Sequence, residues 1–146
     1  MGAPAVLLYA HHDVRPAGEE SAWTTAPFQP TLRDGRLYGR GAADDKAGIV
    51  VHSAAVRALG SELPVTVRVL IDGAEEVGSP QLGDLLEAHA QHLTADVVIV
   101  VDLVNAAPGR PALTTSLRGS PILTSRSRSL AKRPTAGSTA GCSRTR

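Results

Sequence analysis

Gly35-Arg36-Leu37-Tyr38-Gly39-Arg40-Gly41-Ala42-Ala43-Asp44-Asp45-Lys46-Ala47-Gly48-Ile49 is the stretch on which the reading of the whole chain turns. A turn dipeptide, Asp34-Gly35, leads into a short strand-like run. Glycines then flank Arg40, and two adjacent carboxylates with a lysine stand at the mouth of an apolar, alanine-rich segment. Aspartate is a preferred residue where a helix begins. The partial positive charge at a helix start keeps such a carboxylate ionised and accepting, which suits Asp44 to a metal. Read alone, the stretch is a capped helix; its neighbours decide whether it is more.

Toward the N-terminus, Ala5 to Ala10 form a continuous apolar run ending in His11-His12-Asp13. Such a run reads as a buried strand, with metal-competent side chains at the carboxyl edge where open α/β sheets place their sites. Residues 14–30 read as a loop, and Thr31 to Tyr38 as a hairpin turning at Asp34-Gly35. Toward the C-terminus, a helix is predicted from about Asp44 to Leu59, ending near Gly60. Its apolar residues run most of the way round, so it is expected to be largely buried.

A second strand is predicted over Val65 to Ile71, running into Asp72-Gly73-Ala74-Glu75-Glu76. Pro80 is placed in the first turn of a second helix that continues to about His92. Val97 to Val101 read as a third strand ending in Asp102, and Ala112 to Leu117 as a fourth. Strand–helix alternation with apolar strands argues an α/β sheet with helices on both faces. Three strands end in imidazoles or carboxylates, so His11, Asp13, Asp44, Glu75, Glu76 and Asp102 can converge on one edge. Each of these alone has an ordinary reading as a solvated helix end or a cap; it is their joint position that points to a site.

Composition bounds the rest. The 146 residues carry a net charge of +1, which hides a split. Residues 1–118 hold all fourteen acidic residues against nine Lys+Arg, a net −5, whereas residues 119–146 hold six Lys+Arg and no acid. One cysteine, Cys142, excludes an intrachain disulfide and favours a cytoplasmic setting. No apolar run approaches the roughly 20 residues of a membrane span, and no secretory signal pattern opens the chain. Nothing in the sequence has the signature of a nucleic-acid-binding fold.

One imidazole and several carboxylates without thiolates suit a borderline or hard divalent ion. Two ions roughly 3.5–4 Å apart need a bridging carboxylate and can activate a water between them. Adjacent Glu75-Glu76 could divide the work, one as a ligand and one as a free base, which is the equipment for hydrolysing an amide.

With those residues in place, His11-His12-Asp13, Gly39 to Lys46, Glu75-Glu76-Val77-Gly78-Ser79 and Asp102 resemble the di-zinc peptidases that include carnosinase, carboxypeptidase G, aminoacylase and succinyl-diaminopimelate desuccinylase. Trp23, Pro27-Phe28, Pro30 and Gly109-Arg110-Pro111 look most like the dipeptidase branch. The resemblance spans about residues 5–119. It implies the catalytic domain of a di-zinc exopeptidase acting on a small peptide or an N-acyl amino acid. His11 and Asp102 would hold one metal, Asp44 would bridge, and Glu76 would hold the second. Glu75 would be the general base and Asp13 would orient His11 through its other ring nitrogen. Two divalent ions are implied, zinc first, with manganese or cobalt as alternatives. The resemblance also implies a cis peptide after Asp44.

The departures shape two further expectations. The family's lid and dimerisation domain, and a late histidine that completes the second metal site, have no counterpart here. The chain is therefore read as a partial catalytic domain over 1–118, with impaired turnover. The alternative is a non-catalytic remnant binding at most one ion through His11, Asp44 and Asp102. Residues 119–146 read as a basic, Ser/Thr/Arg-rich disordered tail, with out-of-frame translation as its proposed origin. No nucleic-acid or membrane partner is expected.

Overall fold

The computed structural model describes residues 2–61, 63–117 and 119. The reading of 119–146 as a tail falls, apart from Gly119, outside those residues. The chain divides into two compact units, residues 1–112 and 113–146. In the second unit the described residues form no helix or strand.

The first unit contains β1 (Ala5–His11), β2 (Thr31–Arg33), β3 (Arg36–Tyr38), α1 (Lys46–Leu59), β4 (Thr66–Asp72), α2 (Leu82–Ala88), α3 (Ala90–Leu93) and β5 (Val97–Val100). β2 and β3 are the hairpin expected around Asp34-Gly35; both turn residues adopt positive φ. The other three strands form a parallel sheet in the order β4-β1-β5, with Leu8 opposite Val69 on one side and Ile99 on the other.

That order explains the layering. The chain leaves β1 through α1 to reach β4, then returns through α2 and α3 across β1 to β5. Parallel crossovers are right-handed, so two crossovers in opposite directions put their helices on opposite faces. The side chains agree. Leu8, Ala10, Val69 and Ile71 line a cavity of about 220 Å³ with Ile49, His52 and Val56 of α1. Residues of the other parity, Leu70 and Asp72, line one of about 270 Å³ with Leu82 and Leu85 of α2.

Burial concentrates on the central strand, where Leu7, Leu8, Ala10 and His11 are all below a tenth exposed. The expectation that α1 is largely buried is not met: only Gly48 and His52 are buried, and Val50 and Val51 are at least half exposed. A helix lying on a three-stranded sheet covers one stripe of its own surface, however apolar the remainder. The start of α1 is also two residues later than expected, because Asp45 and not Asp44 is its N-cap.

Two further expectations are corrected. The helix predicted from Pro80 to about His92 begins at Leu82 and breaks at His89, whose backbone leaves the helical region (φ −118°, ψ 18°). The strand predicted over Ala112–Leu117 does not form. Apart from an isolated bridge between Ala107 and Arg110, the chain there finds no strand partner among the described residues. Strand formation depends on a distant ladder, which a local apolar run does not supply.

Candidate metal centre

β1 lies where the strand order reverses, with its two neighbours reached by crossovers on opposite faces. Open α/β sheets bind ligands in the crevice at the carboxyl ends of such strands. His11 is the last residue of β1, and Asp102 follows just beyond β5. The site is thus placed by topology before any side chain is considered.

His11 is fully buried. Its Nδ1 donates to the Asp13 carbonyl at 3.1 Å, with the Asp13 carboxylate at 3.3 Å. Its Nε2 lies 3.1 Å from Asp44 Oδ1 and 3.9 Å from both Glu75 Oε2 and Asp102 Oδ2. Both ring nitrogens therefore face groups that only accept. Burial alone lowers the imidazole pKa, but Asp102, the Asp13 carbonyl, Glu75 and Asp45 outweigh it and lift His11 above its usual value. Asp102 is raised in turn, by burial first and then by the neighbouring Asp45 and Asp44 charges.

This arrangement is a test of fit for a divalent ion. His11 Nε2, with Nδ1 already committed to a carbonyl, presents its second nitrogen to a ring of carboxylates. One ligand atom each from His11, Asp44 and Asp102 lies within 4.8 Å of the others. A nitrogen and two oxygens without sulfur is a donor set for zinc or a harder divalent ion. A cation there replaces the proton that the acceptors otherwise demand on Nε2. The residues fit.

The supporting residues explain why the donors converge. Asp45, only 1% exposed, accepts from Gly48 N at the start of α1 and from His11 N at the end of β1. One buried carboxylate thereby ties the helix carrying the acidic pair to the strand carrying the imidazole. A side chain at Gly48 would collide with the Asp45 carboxylate and with the Val101 carbonyl, so this position requires glycine for space. The Asp44–Asp45 peptide is cis. Lys46 Nζ reaches the His12 carbonyl at 2.6 Å, and Arg40 stacks over Trp23 at 5.2 Å, joining the loop after Asp13 to the segment before Asp44.

The Glu75-Glu76 pair is held differently. Asp13 accepts from the backbone N–H groups of both Glu75 and Glu76. Burial alone raises the Asp13 carboxyl, but those N–H groups outweigh it and hold it below the usual carboxylate range. Glu75 points toward His11; Glu76 instead accepts from Arg15 Nε at 2.6 Å. Of the six residues singled out in the sequence, Asp13, Asp44, Glu75 and Asp102 thus surround the His11 imidazole, while Glu76 is engaged by a cation. Asp45 and Arg15 were not anticipated. The glycine three positions after Asp45 is the signal that could have found the first; no local pattern announces the second.

An α/β sheet with an imidazole–carboxylate cluster at its switch point defines a domain whose donors could hold a divalent ion. The model of peptidase family M20/M25/M40 matches residues 7–120. A cysteinylglycine-S-conjugate dipeptidase of Corynebacterium striatum is 44% identical over 122 residues, covering 80% of this chain and 26% of that protein. A beta-Ala-His dipeptidase of Rattus norvegicus is 39% identical over 121 residues, covering 80% and 25%. Among solved structures, an M20 family metallo-carboxypeptidase from Sulfolobus solfataricus superposes with a TM-score of 0.65 at 38% identity, covering 68% of this chain and 23% of that one. Human carnosine dipeptidase 1 does so at 0.60 and 36%, covering 70% and 23%.

The chain belongs to peptidase family M20/M25/M40, a family of metallopeptidases that use divalent ions. It spans about a quarter of the length of the curated relatives it matches. Among the described residues no helix is long and apolar enough to cross a membrane.

Proposed function

We propose that this chain carries the metal-binding half-site of a di-zinc dipeptidase, acting on the amide bond of a small dipeptide or an N-acyl amino acid. The observation that carries the proposal is the buried His11 imidazole, whose Nε2 faces Asp44, Glu75 and Asp102 at 3.1–3.9 Å. The relatives' dipeptidase names support the substrate class.

In this reading His11 and Asp102 would hold one ion, Asp44 would serve both, and Glu76 would hold the second. Bound ions supply Lewis acidity, which acidifies water and polarises a carbonyl. Glu75, about two-fifths exposed and beside the imidazole, would take the proton of the attacking water. The same carboxyl then protonates the amine as the C–N bond breaks, so the base is restored in each cycle. Asp13 is a positioning residue: it steadies His11 at Nδ1 and the Glu75-Glu76 backbone with its carboxylate.

A second reading also has an observation in its favour. Among the described residues only His11, Asp44 and Asp102 draw within 4.8 Å, whereas Glu76 is paired with Arg15, as a single-ion site without turnover would have it. The two separate in one experiment, zinc binding and zinc-stimulated dipeptide cleavage measured on the same protein. The hydrolase reading expects turnover that Glu75→Gln lowers by about 10²–10⁴-fold with zinc uptake unchanged. Zinc uptake lost in His11→Ala, without cleavage in the wild type, leaves the single-ion reading in place.

A further inference from the structure

The turn that carries Glu75 ends in a backbone conformation that its residues do not all favour. Gly78 and Ser79 both adopt positive φ, 86° and 47°. Glycine takes that conformation freely, whereas a residue with a Cβ is strained in it. Glycine would serve the backbone better at position 79, so the serine is held there by its side chain. Its hydroxyl donates to Asp72 Oδ2 at 2.5 Å. The other Asp72 oxygen accepts from Ala74 N at 2.9 Å, and Ser79 N donates to the Ala74 carbonyl at 2.8 Å. The two ends of the segment 72–79 are thereby stapled together. Asp72 Oδ2 also accepts from Tyr9 Oη at 3.1 Å. Tyr9 precedes His11 by two residues on β1 and so shares its face of the sheet. One carboxylate therefore fixes the turn of Glu75 to the strand of His11.

We infer that Ser79 is a positioning residue for Glu75: its hydroxyl closes the turn onto Asp72 and so holds the Glu75 carboxylate beside the His11 imidazole. This rests on the hydrolase reading above, in which Glu75 moves the proton. Asp13 holds the turn at its middle, through the N–H groups of Glu75 and Glu76. Ser79 holds it at its end. Without the hydroxyl the turn keeps its bonds to Asp13 but hinges about them. Glu75 Oε2, 3.9 Å from His11 Nε2, then loses its fixed place. Every contact in this support is made by the protein's own groups, and Ser79 acts only through Asp72 and the turn.

The test compares wild type, Ser79→Gly and Ser79→Ala, each as the whole chain. Thermal unfolding and amide hydrogen exchange are measured without zinc, and zinc-stimulated cleavage is measured on the dipeptide alanylalanine. Both variants lose the hydroxyl, but only glycine relieves the backbone, so Ser79→Ala unfolds at a lower temperature than Ser79→Gly. Positioning by the hydroxyl makes the two variants behave alike at the site despite that difference. In both, the Glu75 and Glu76 amides exchange about tenfold faster, the scale of one hydrogen bond lost. In both, kcat falls by up to about 10²-fold with KM little changed, the scale of a displaced catalytic group. Effects ordered by stability, with Ser79→Gly near wild type in exchange and kcat, overturn the inference in favour of a purely structural serine. Unchanged exchange at Glu75 and Glu76 in both variants overturns it whatever the turnover does. Turnover in the wild type that both variants retain in full overturns the inference alone, whereas a wild type without turnover overturns the hydrolase reading and the inference with it.

Discussion

The site contains two acidic doublets, and they are built on opposite plans. In Asp44-Asp45 the second member anchors the first. Asp45 is buried and spends its carboxylate on Gly48 N and His11 N, leaving Asp44, 57% exposed, to face the imidazole. In Glu75-Glu76 neither member anchors the other. The turn that carries them is clamped from outside by Asp13, which takes both backbone N–H groups, and by Asp72, which accepts from Ala74 N and Ser79 Oγ. The first plan yields one fixed donor per doublet. The second leaves both side chains available, one toward His11 and one toward Arg15. Adjacent acids in a sequence are thus no guide to whether one or two of them are functional; what their backbone N–H groups bind decides it.

The contrast breaks most readily at Asp45. Asp45→Ala strips a cap and leaves the N–H groups of His11 and Gly48 without their partner, so it is expected to cost on the order of 3 kcal/mol of stability. Asp44→Ala, on the exposed member, is expected to stay within about 0.5 kcal/mol in the metal-free protein while removing zinc uptake. Urea midpoints measured without metal check the pair; similar losses in both would erase the distinction between anchor and donor.

Gly48→Ala probes the same anchor with a smaller effect. Alanine is the better helix former by about 1 kcal/mol. Even so, the added methyl meets the Asp45 carboxylate and the Val101 carbonyl, and overpacking of this kind costs roughly 1–3 kcal/mol. A net loss near 1–2 kcal/mol in thermal unfolding is expected, and a stabilised Gly48→Ala protein would contradict the crowding at Asp45.

The outside clamp of the second doublet shows itself in pH. Tyr9 Oη donates to Asp72 at 3.1 Å, and its pKa is pushed up to about 12, by burial first and by the Asp72 charge second. The folded state holds that proton more tightly than the unfolded chain, where the phenol ionises near 10. The stabilisation is therefore whole below about pH 10 and is lost as pH rises through about 12, a term of about 1 kcal/mol after solvent screening. Asp72 has the opposite sign. Burial alone raises it, but hydrogen bonds from Ser79, Ala74 and Tyr9 outweigh burial and hold it below the usual range. Its contribution is whole above about pH 4 and fades as pH falls through the folded value. Tyr9→Phe is expected to remove the alkaline loss, and Asp72→Asn to flatten the acid one, in denaturation midpoints followed across pH.

The fold was legible wherever the signal was local and repeated. The apolar runs gave β1, β4 and β5 to within a residue, and Asp34-Gly35 gave the hairpin. The metal-competent residues were legible because they stand at the ends of those runs, where a parallel sheet gathers them. What escaped depended on contacts distant in the chain. Two aspartates in a row are equally good caps, and only the room left by Gly48 selects Asp45. The break at His89 and the unformed strand over Ala112–Leu117 were decided by packing and pairing, which a window of sequence does not contain. The Arg15–Glu76 pair spans 61 positions and leaves no periodic trace.

β1 has a consequence for motion. Among the described residues it is the only strand of the parallel sheet hydrogen-bonded along both sides, to β4 and to β5. Its flanking strands are far more exposed, and β5 is open along its whole length. Amide protons of Leu7 to Tyr9 will therefore exchange with solvent most slowly, while those of the edges exchange by local opening. His11 is the terminal residue of that slowest segment. As the edges fray, Asp102 and Glu75 leave the imidazole before the imidazole moves, so the centre comes apart from its carboxylates inward.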